Sequence, residues 1–213
     1  MNDSKITLYT HPMSRGRTAR WLLEECEASY ETVVLDYGPR MKSNQYLAIN
    51  PMGKVPALVH GESVVSELAA ICCYLADLFP EKQLAPAVGS VERATYYRWL
   101  FFTAGPLESA FMGKLLGSLV SAEQAAMVGY GSYQLTMDTL EFAIKQGGRY
   151  LCGEQFTAAD IYLTACIKWG MDKGGIERRP TFERYIAPIL QRPAYLRAAE
   201  MDNKLLADHP FPG

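Results

Sequence analysis

Over the first eighty positions, short alternating apolar runs take turns with runs at helical spacing. Ile6 to Thr10 puts Ile6 and Leu8 on one face, which predicts a short strand that Pro12 breaks. From about Arg15 to Glu27, Ala19, Leu22, Leu23 and Cys26 fall at i, i+3, i+4 and i+7, the spacing of one helical face. Thr32 to Leu35 predicts a second strand. A polar stretch with Gly38 and Pro39 follows, then a short helix before the turn Asn50-Pro51-Met52-Gly53. Val55 to Val59 and Val64 to Ser66 predict two strands joined by His60-Gly61-Glu62-Ser63, short enough for a hairpin. Leu68, Ile71, Cys72, Leu75 and Phe79 then mark one face of a helix that Pro80 ends.

The resulting order, βαβ followed by ββα, makes the first two strands parallel around a crossover helix and adds an antiparallel hairpin. It is the layout of a thioredoxin-like domain, assigned to residues 1–80. Residues 81–90, with Pro, Gly and few large apolar groups, predict a linker. Residues 91–213 predict an all-helical domain, so the fold class is α/β plus all-α. Its helices run near Val91 to Gly117, Ala122 to Gln146, Ala158 to Trp169, Thr181 to Leu190 and Ala194 to Leu206, the first kinked at Gly105-Pro106. Phe156 to Ile161 places Thr157 at a helix N-cap and Asp160 at the third helical position, with Phe156 set against Ile161 as a staple. Losing that Thr157 cap is expected to cost about 1 kcal/mol.

Composition narrows the function classes. With 21 basic against 23 acidic residues the net charge is −2, which argues against a nucleic-acid binder. Residues 1–80 carry 7 basic and 9 acidic groups and the remainder 14 of each, so neither half is a charged tail. The longest run without a charged residue, Gln124 to Met137, has 14 residues and is rich in Gly, Gln, Ser and Thr. A bilayer-spanning helix needs about 20 mostly apolar ones, so no membrane span is expected. Asp3 and Lys5 precede any apolar stretch, unlike a secretory signal, and a cytoplasmic location is expected. The five cysteines form no CxxC pair, and three scattered histidines make no ligand pattern, so reduced thiols and no metal are expected.

The loop after the first strand reads His11-Pro12-Met13-Ser14-Arg15-Gly16-Arg17, with no cysteine for dithiol exchange. A serine hydroxyl, backbone N–H groups and a helix N-terminus, with Arg15, Arg17 and Arg20 nearby, instead suit an anion, and a thiol there would lose its proton more easily. The plainer role for Ser14 is an N-cap, and for the arginines a solvated face. In Gly53-Lys54-Val55-Pro56-Ala57-Leu58, a cis proline opening a strand would leave the Val55 N–H and C=O exposed to pair with an extended peptide. At Ser66-Glu67-Leu68, N–H groups could hold a carboxylate and Glu67 an ammonium group, or Glu67 could be an ordinary first-turn acid.

Ser14 with Arg17 to Glu25, Asn50 to Leu58, Glu67 to Ile71 with Tyr74-Leu75, and the Phe156 to Ile161 cap together resemble the cytosolic glutathione transferases over nearly the whole chain. That resemblance implies a glutathione-binding thioredoxin-like domain, a helical domain with a variable apolar pocket, and a homodimer. It implies that Ser14 activates the glutathione sulfur and Val55 pairs with the cysteinyl backbone. Pro56 would be cis, Lys54 near the glycine carboxylate and Glu67 on the γ-glutamyl ammonium. The family's usual serine after the acid is replaced by Leu68, leaving its N–H but no hydroxyl. Some classes activate the thiol with a tyrosine at the end of the first strand, which makes Tyr9 the alternative to Ser14.

For a small apolar electrophile, the expected walls are His11, Pro12 and Met13 with Leu107, Phe111 and Met112, most of which could equally be core. Two other readings share the fold. One is a non-catalytic regulatory module like the stringent starvation proteins. The other is a glutathione-dependent reductase or isomerase, which the cysteine-free loop disfavours.

Overall fold

The computed structural model describes residues 5–209. The described residues up to Lys82, together with those from Arg192 onward, form one compact unit, and Gln83–Gln191 form another. The first unit is built on a four-stranded sheet of order β2-β1-β3-β4: β1 (Ile6–Thr10), β2 (Tyr30–Val34), β3 (Ala57–His60) and β4 (Ser63–Ser66). β1 pairs parallel with β2 and antiparallel with β3, and β3–β4 is the hairpin that the alternating pattern predicts. Helix α1 (Gly16–Glu25) makes the crossover, α2 (Asn44–Leu47) is the short helix before the Asn-Pro turn, and α3 (Leu68–Leu78) ends before Pro80.

Alternation along β1 divides the core. Ile6, Leu8 and Thr10 are buried on one face; Tyr9, on the other, packs with Leu35, Met41, Tyr46 and Ala57 beneath α2. The last helix, α9 (Pro193–Leu205), packs on α1, whereas the sequence pattern groups it with residues 91–213. Across that contact Arg20 of α1 meets Asp202 of α9 at 2.9 Å with both side chains buried, and Arg192 holds Glu25 through two bonds of 2.7 and 2.8 Å.

The helical unit opens with α4 (Val91–Phe102), a π-type turn Thr103–Leu107 containing Pro106, and α5 (Glu108–Leu116). This is the single kinked helix of the sequence pattern, bent where Pro106 lacks an N–H. The helix expected over Ala122 to Gln146 is two pieces, a 3-10 segment Ala122–Met127 and α6 (Tyr133–Gly147). Gly131 between them sits at φ 62, and the Ser132 hydroxyl accepts the Leu135 N–H to start α6 afresh. α7 (Ala158–Lys173) is central, and α8 (Pro180–Ile189) completes the unit. The Asp160 carboxylate on α7 is fully buried; it accepts from the Thr157 N–H and hydroxyl, the Leu151 N–H and the Tyr185 hydroxyl. Among the described residues no helix is long and apolar enough to cross a membrane, and no cluster of metal-binding side chains forms.

Candidate active site

Sheet register brings three loops to one end of the first unit. Tyr9, Ala57 and Ser66 are neighbours across β1, β3 and β4, so His11–Ser14, Val55–Pro56 and Glu67 leave the sheet at the same end. The His11–Ser14 turn is closed by its own hydrogen bonds. The Ser14 N–H donates to the His11 carbonyl at 3.0 Å, and the Ser14 hydroxyl donates to the same oxygen at 2.7 Å while accepting the Gly16 N–H at 2.9 Å. Ser14 therefore lies just before α1, whose N-cap position is Arg15 rather than Ser14, and spends its proton on a neutral carbonyl.

Two of the arginines near this turn make hydrogen bonds to distant parts of the chain. Arg17 donates to the Pro12 carbonyl at 3.1 Å and to Asn203 Oδ1 at 2.8 Å. Arg20 is buried against Asp202 and Thr32. Arg20 is therefore not a solvated face, while Arg17 is half-buried. Arg15 is exposed. Tyr9 stacks at 5.6 Å from Tyr46 in the core under α2.

The Val55–Pro56 peptide is cis. Val55 lies before the β3 ladder, and among the described residues no turn or loop hydrogen bond ties up its N–H or C=O. What fixes this segment is the residue before it. The Lys54 carbonyl accepts from the Tyr46 hydroxyl at 2.7 Å and the Asn50 side chain at 2.8 Å, while the Lys54 side chain is exposed. Burial pushes the Tyr46 phenol up to about 12, so it remains a donor at neutral pH. Lys42 caps the Met52 and Gly53 carbonyls at 2.8 and 3.0 Å. Gly53 is required there: its φ is 56, and a Cβ would lie 2.6 Å from the Met41 carbonyl.

Glu67 precedes α3 at φ 65, a left-handed conformation rare for a residue with a Cβ, and its side chain is exposed. Leu68 is 6% exposed, so the residue replacing the family serine is a core side chain at the first turn of α3. The expected apolar walls divide differently from the sequence reading. His11 and Pro12 are buried and Met13 is exposed. Leu107 and Phe111 are 0% and 1% exposed, which makes them core residues of the helical unit; of that trio only Met112 reaches the surface. Burial lifts the Cys26 and Cys152 thiols to about 12 and Cys72 higher, so these cysteines are poor nucleophiles.

Residues 4–77 match the family model for the glutathione S-transferase N-terminal domain. Glutathione S-transferase GST-4.5 of Xanthomonas campestris pv. campestris is 30% identical over 186 residues, 83% of this chain and 90% of that protein. The chain belongs to the glutathione S-transferase family. Glutathione S-transferase GstA of Escherichia coli O157:H7 is 27% identical over 89% of this chain and 92% of its own length. A sphingomonad glutathione S-transferase, solved in complex with glutathione, superposes with a TM-score of 0.76 at 30% identity, covering 92% of this chain and 98% of that one. All three loops of the family's N-terminal domain described above lie within residues 4–77.

Several supporting residues escape a reading of the sequence. Tyr46 and Lys42 reach backbone carbonyls that only the fold brings near. Asn50 stands inside the Asn-Pro-x-Gly signal, which reveals the turn but not the bond to Lys54. Tyr37 and His209 flank His11, with no local signal for either contact.

Proposed function

We propose that the chain conjugates glutathione to small apolar electrophiles and that Ser14 stabilises the ionised sulfur. Val55 would pair with the cysteinyl backbone, Glu67 would take the γ-glutamyl ammonium and Lys54 would lie near the glycine carboxylate. The carrying observation is the Ser14 hydroxyl, held between the His11 carbonyl and the Gly16 N–H at the start of α1. Its proton can leave the carbonyl by rotation about one bond. A neutral hydrogen bond contributes about 0.5–1.5 kcal/mol net and one to a charged group about 1.5–3. The exchange is therefore favourable by about 1 kcal/mol toward a thiolate and roughly neutral toward a thiol, which lowers the thiol pKa by about one unit.

With Ser14 holding the ionised sulfur, a sulfur electron pair forms the new bond to carbon. The leaving group departs with its own pair, and the thiol proton passes to solvent. The loop at Met13, whose side chain is exposed, would supply apolar surface for the electrophile. The proposal extends to a homodimer in the cytoplasm with a role in detoxification, readings that membership of the family supports. Tyr9 is the second candidate for the activating hydroxyl, and its packing against Tyr46 favours Ser14.

Calorimetric titration with glutathione is expected to give a micromolar to millimolar Kd, on the order of −8 to −4 kcal/mol. Absence of binding would point to a regulatory module of the same fold. In Ser14→Ala, conjugation of a generic aryl halide below the thiol pKa is expected to fall about tenfold with glutathione affinity near normal. Loss of activity in Tyr9→Phe with activity kept in Ser14→Ala would reassign the role.

A further inference from the structure

The turn that carries Ser14 is braced by a second group of side chains. The His11 ring is 0% exposed, and its Nδ1 accepts the Met13 N–H at 3.1 Å. That bond puts the ring proton on Nε2, which is buried with no hydrogen-bond partner. Burial lowers the His11 pKa against the field of Asp36, so the ring is neutral. Tyr37 covers His11 with ring centroids 4.5 Å apart and donates its hydroxyl to the Met13 carbonyl at 3.3 Å. Met13 is thus held on its N–H by one ring and on its C=O by the other.

His209, in the segment after α9, stands edge-on to His11 with centroids 6.4 Å apart. Its Nδ1–H donates to Asp36 Oδ1 at 2.6 Å, since the carboxylate can only accept, and Asp36 also receives Arg40 at 3.4 Å.

We propose that His209, locked by Asp36, is a positioning residue for thiol activation: it walls in the His11 ring and thereby holds the Met13–Ser14 turn in the conformation that presents the Ser14 hydroxyl. This rests on Ser14 being the activating group. An unpaired buried N–H gains free energy by reaching water. Without the His209 wall the His11 ring swings outward to hydrate Nε2, and the swing breaks its bond to Met13, the residue before Ser14.

The test compares full-length His209→Ala, Ser14→Ala and the double variant by the pH titration of bound glutathione's thiolate absorbance. His209→Ala is expected to raise the thiol pKa by about half a unit, about threefold in thiolate fraction. Its glutathione Kd should stay within about twofold. The double variant should match Ser14→Ala alone, because His209 acts through Ser14. His209→Gln, whose amide can still donate to Asp36, should recover most of the shift. Asp36→Asn, which loosens the same contact without opening a cavity, should shift the pKa in the same direction and serves if His209→Ala fails to fold. A wild-type thiol pKa in His209→Ala or, should that variant not fold, in Asp36→Asn, beside a shifted Ser14→Ala, overturns the latch, as do additive losses in the double variant. An unshifted Ser14→Ala overturns the Ser14 assignment and the latch with it.

Discussion

His11 links the chemistry of the site to its stability. Burial holds its pKa below the ordinary 6.5, with Asp36 pulling the other way and His209 adding to the depression. Between the folded pKa and about 6.5 the unfolded chain binds a proton that the fold does not, so stability rises with pH through that window. Its contribution is complete above about pH 6.5 and is lost as pH falls toward the folded value. Urea unfolding of the wild type is expected to weaken from pH 6.5 to 5.5 with a slope up to about 1.4 kcal/mol per pH unit. His11→Asn, which keeps an acceptor for the Met13 N–H, should flatten that slope, and parallel profiles for the two proteins would refute the assignment. Ser14, Val55 and Glu67 are legible in the sequence because a loop, a strand-opening proline and a helix start each carry a local signal. Local signals do not reveal commitments made at long range. Arg17 and Arg20 look available on a basic stretch and are taken by Asn203 and Asp202. Helical spacing likewise puts Leu107 and Phe111 on an apolar face without showing that the face is core.

The first turn of α1 is set by space rather than by propensity. A Cβ on Gly16 would lie 1.9 Å from Thr10 Oγ1 and 2.9 Å from both Thr10 Cβ and Ser14 Oγ. The Thr10 hydroxyl could rotate, but its Cβ belongs to a fully buried residue of β1 and cannot. Alanine normally favours a helix over glycine by about 1 kcal/mol. Overpacking here is expected to reverse that, costing about 1–3 kcal/mol and displacing Ser14. Gly16→Ala should therefore lower both the unfolding free energy and the conjugation rate; an equally stable, fully active variant would mean the turn is more pliant than its contacts imply. Element by element, β1, β3, β4, α1 and α3 follow from periodicity, with Pro12 and Pro80 acting as stops and Pro56 opening β3. The expected Ala122 to Gln146 helix fails because residue spacing carries across Gly129-Tyr130-Gly131-Ser132, where a positive φ and a new serine cap outweigh it.

α9 lies in the unit that begins the chain and carries one half of a pair no local pattern could show, Arg20 and Asp202, 182 positions apart. Their side chains are 2% and 0% exposed, and Arg20 Nη2 and Asp202 Oδ2 have no hydrogen-bond partner. A buried pair with unmet valences adds little net stability over apolar residues of similar volume, yet removing one member strands the other charge, at about 3–5 kcal/mol. Asp202→Ala is therefore expected to lower Tm by about 6–20 °C at roughly 2–4 °C per kcal/mol for a chain of this size. Arg20→Met combined with Asp202→Leu should recover most of that loss. Trp21 on α1, edge-on to Tyr195 of α9 with ring centroids 4.9 Å apart, gives a local probe once Trp99 and Trp169 are replaced by phenylalanine. If the Trp21 transition of the double variant falls as far as that of Asp202→Ala, the pair contributes attraction of its own. A recovered transition instead means that apolar packing of α1 against α9 holds the helix, with the ion pair fixing its register.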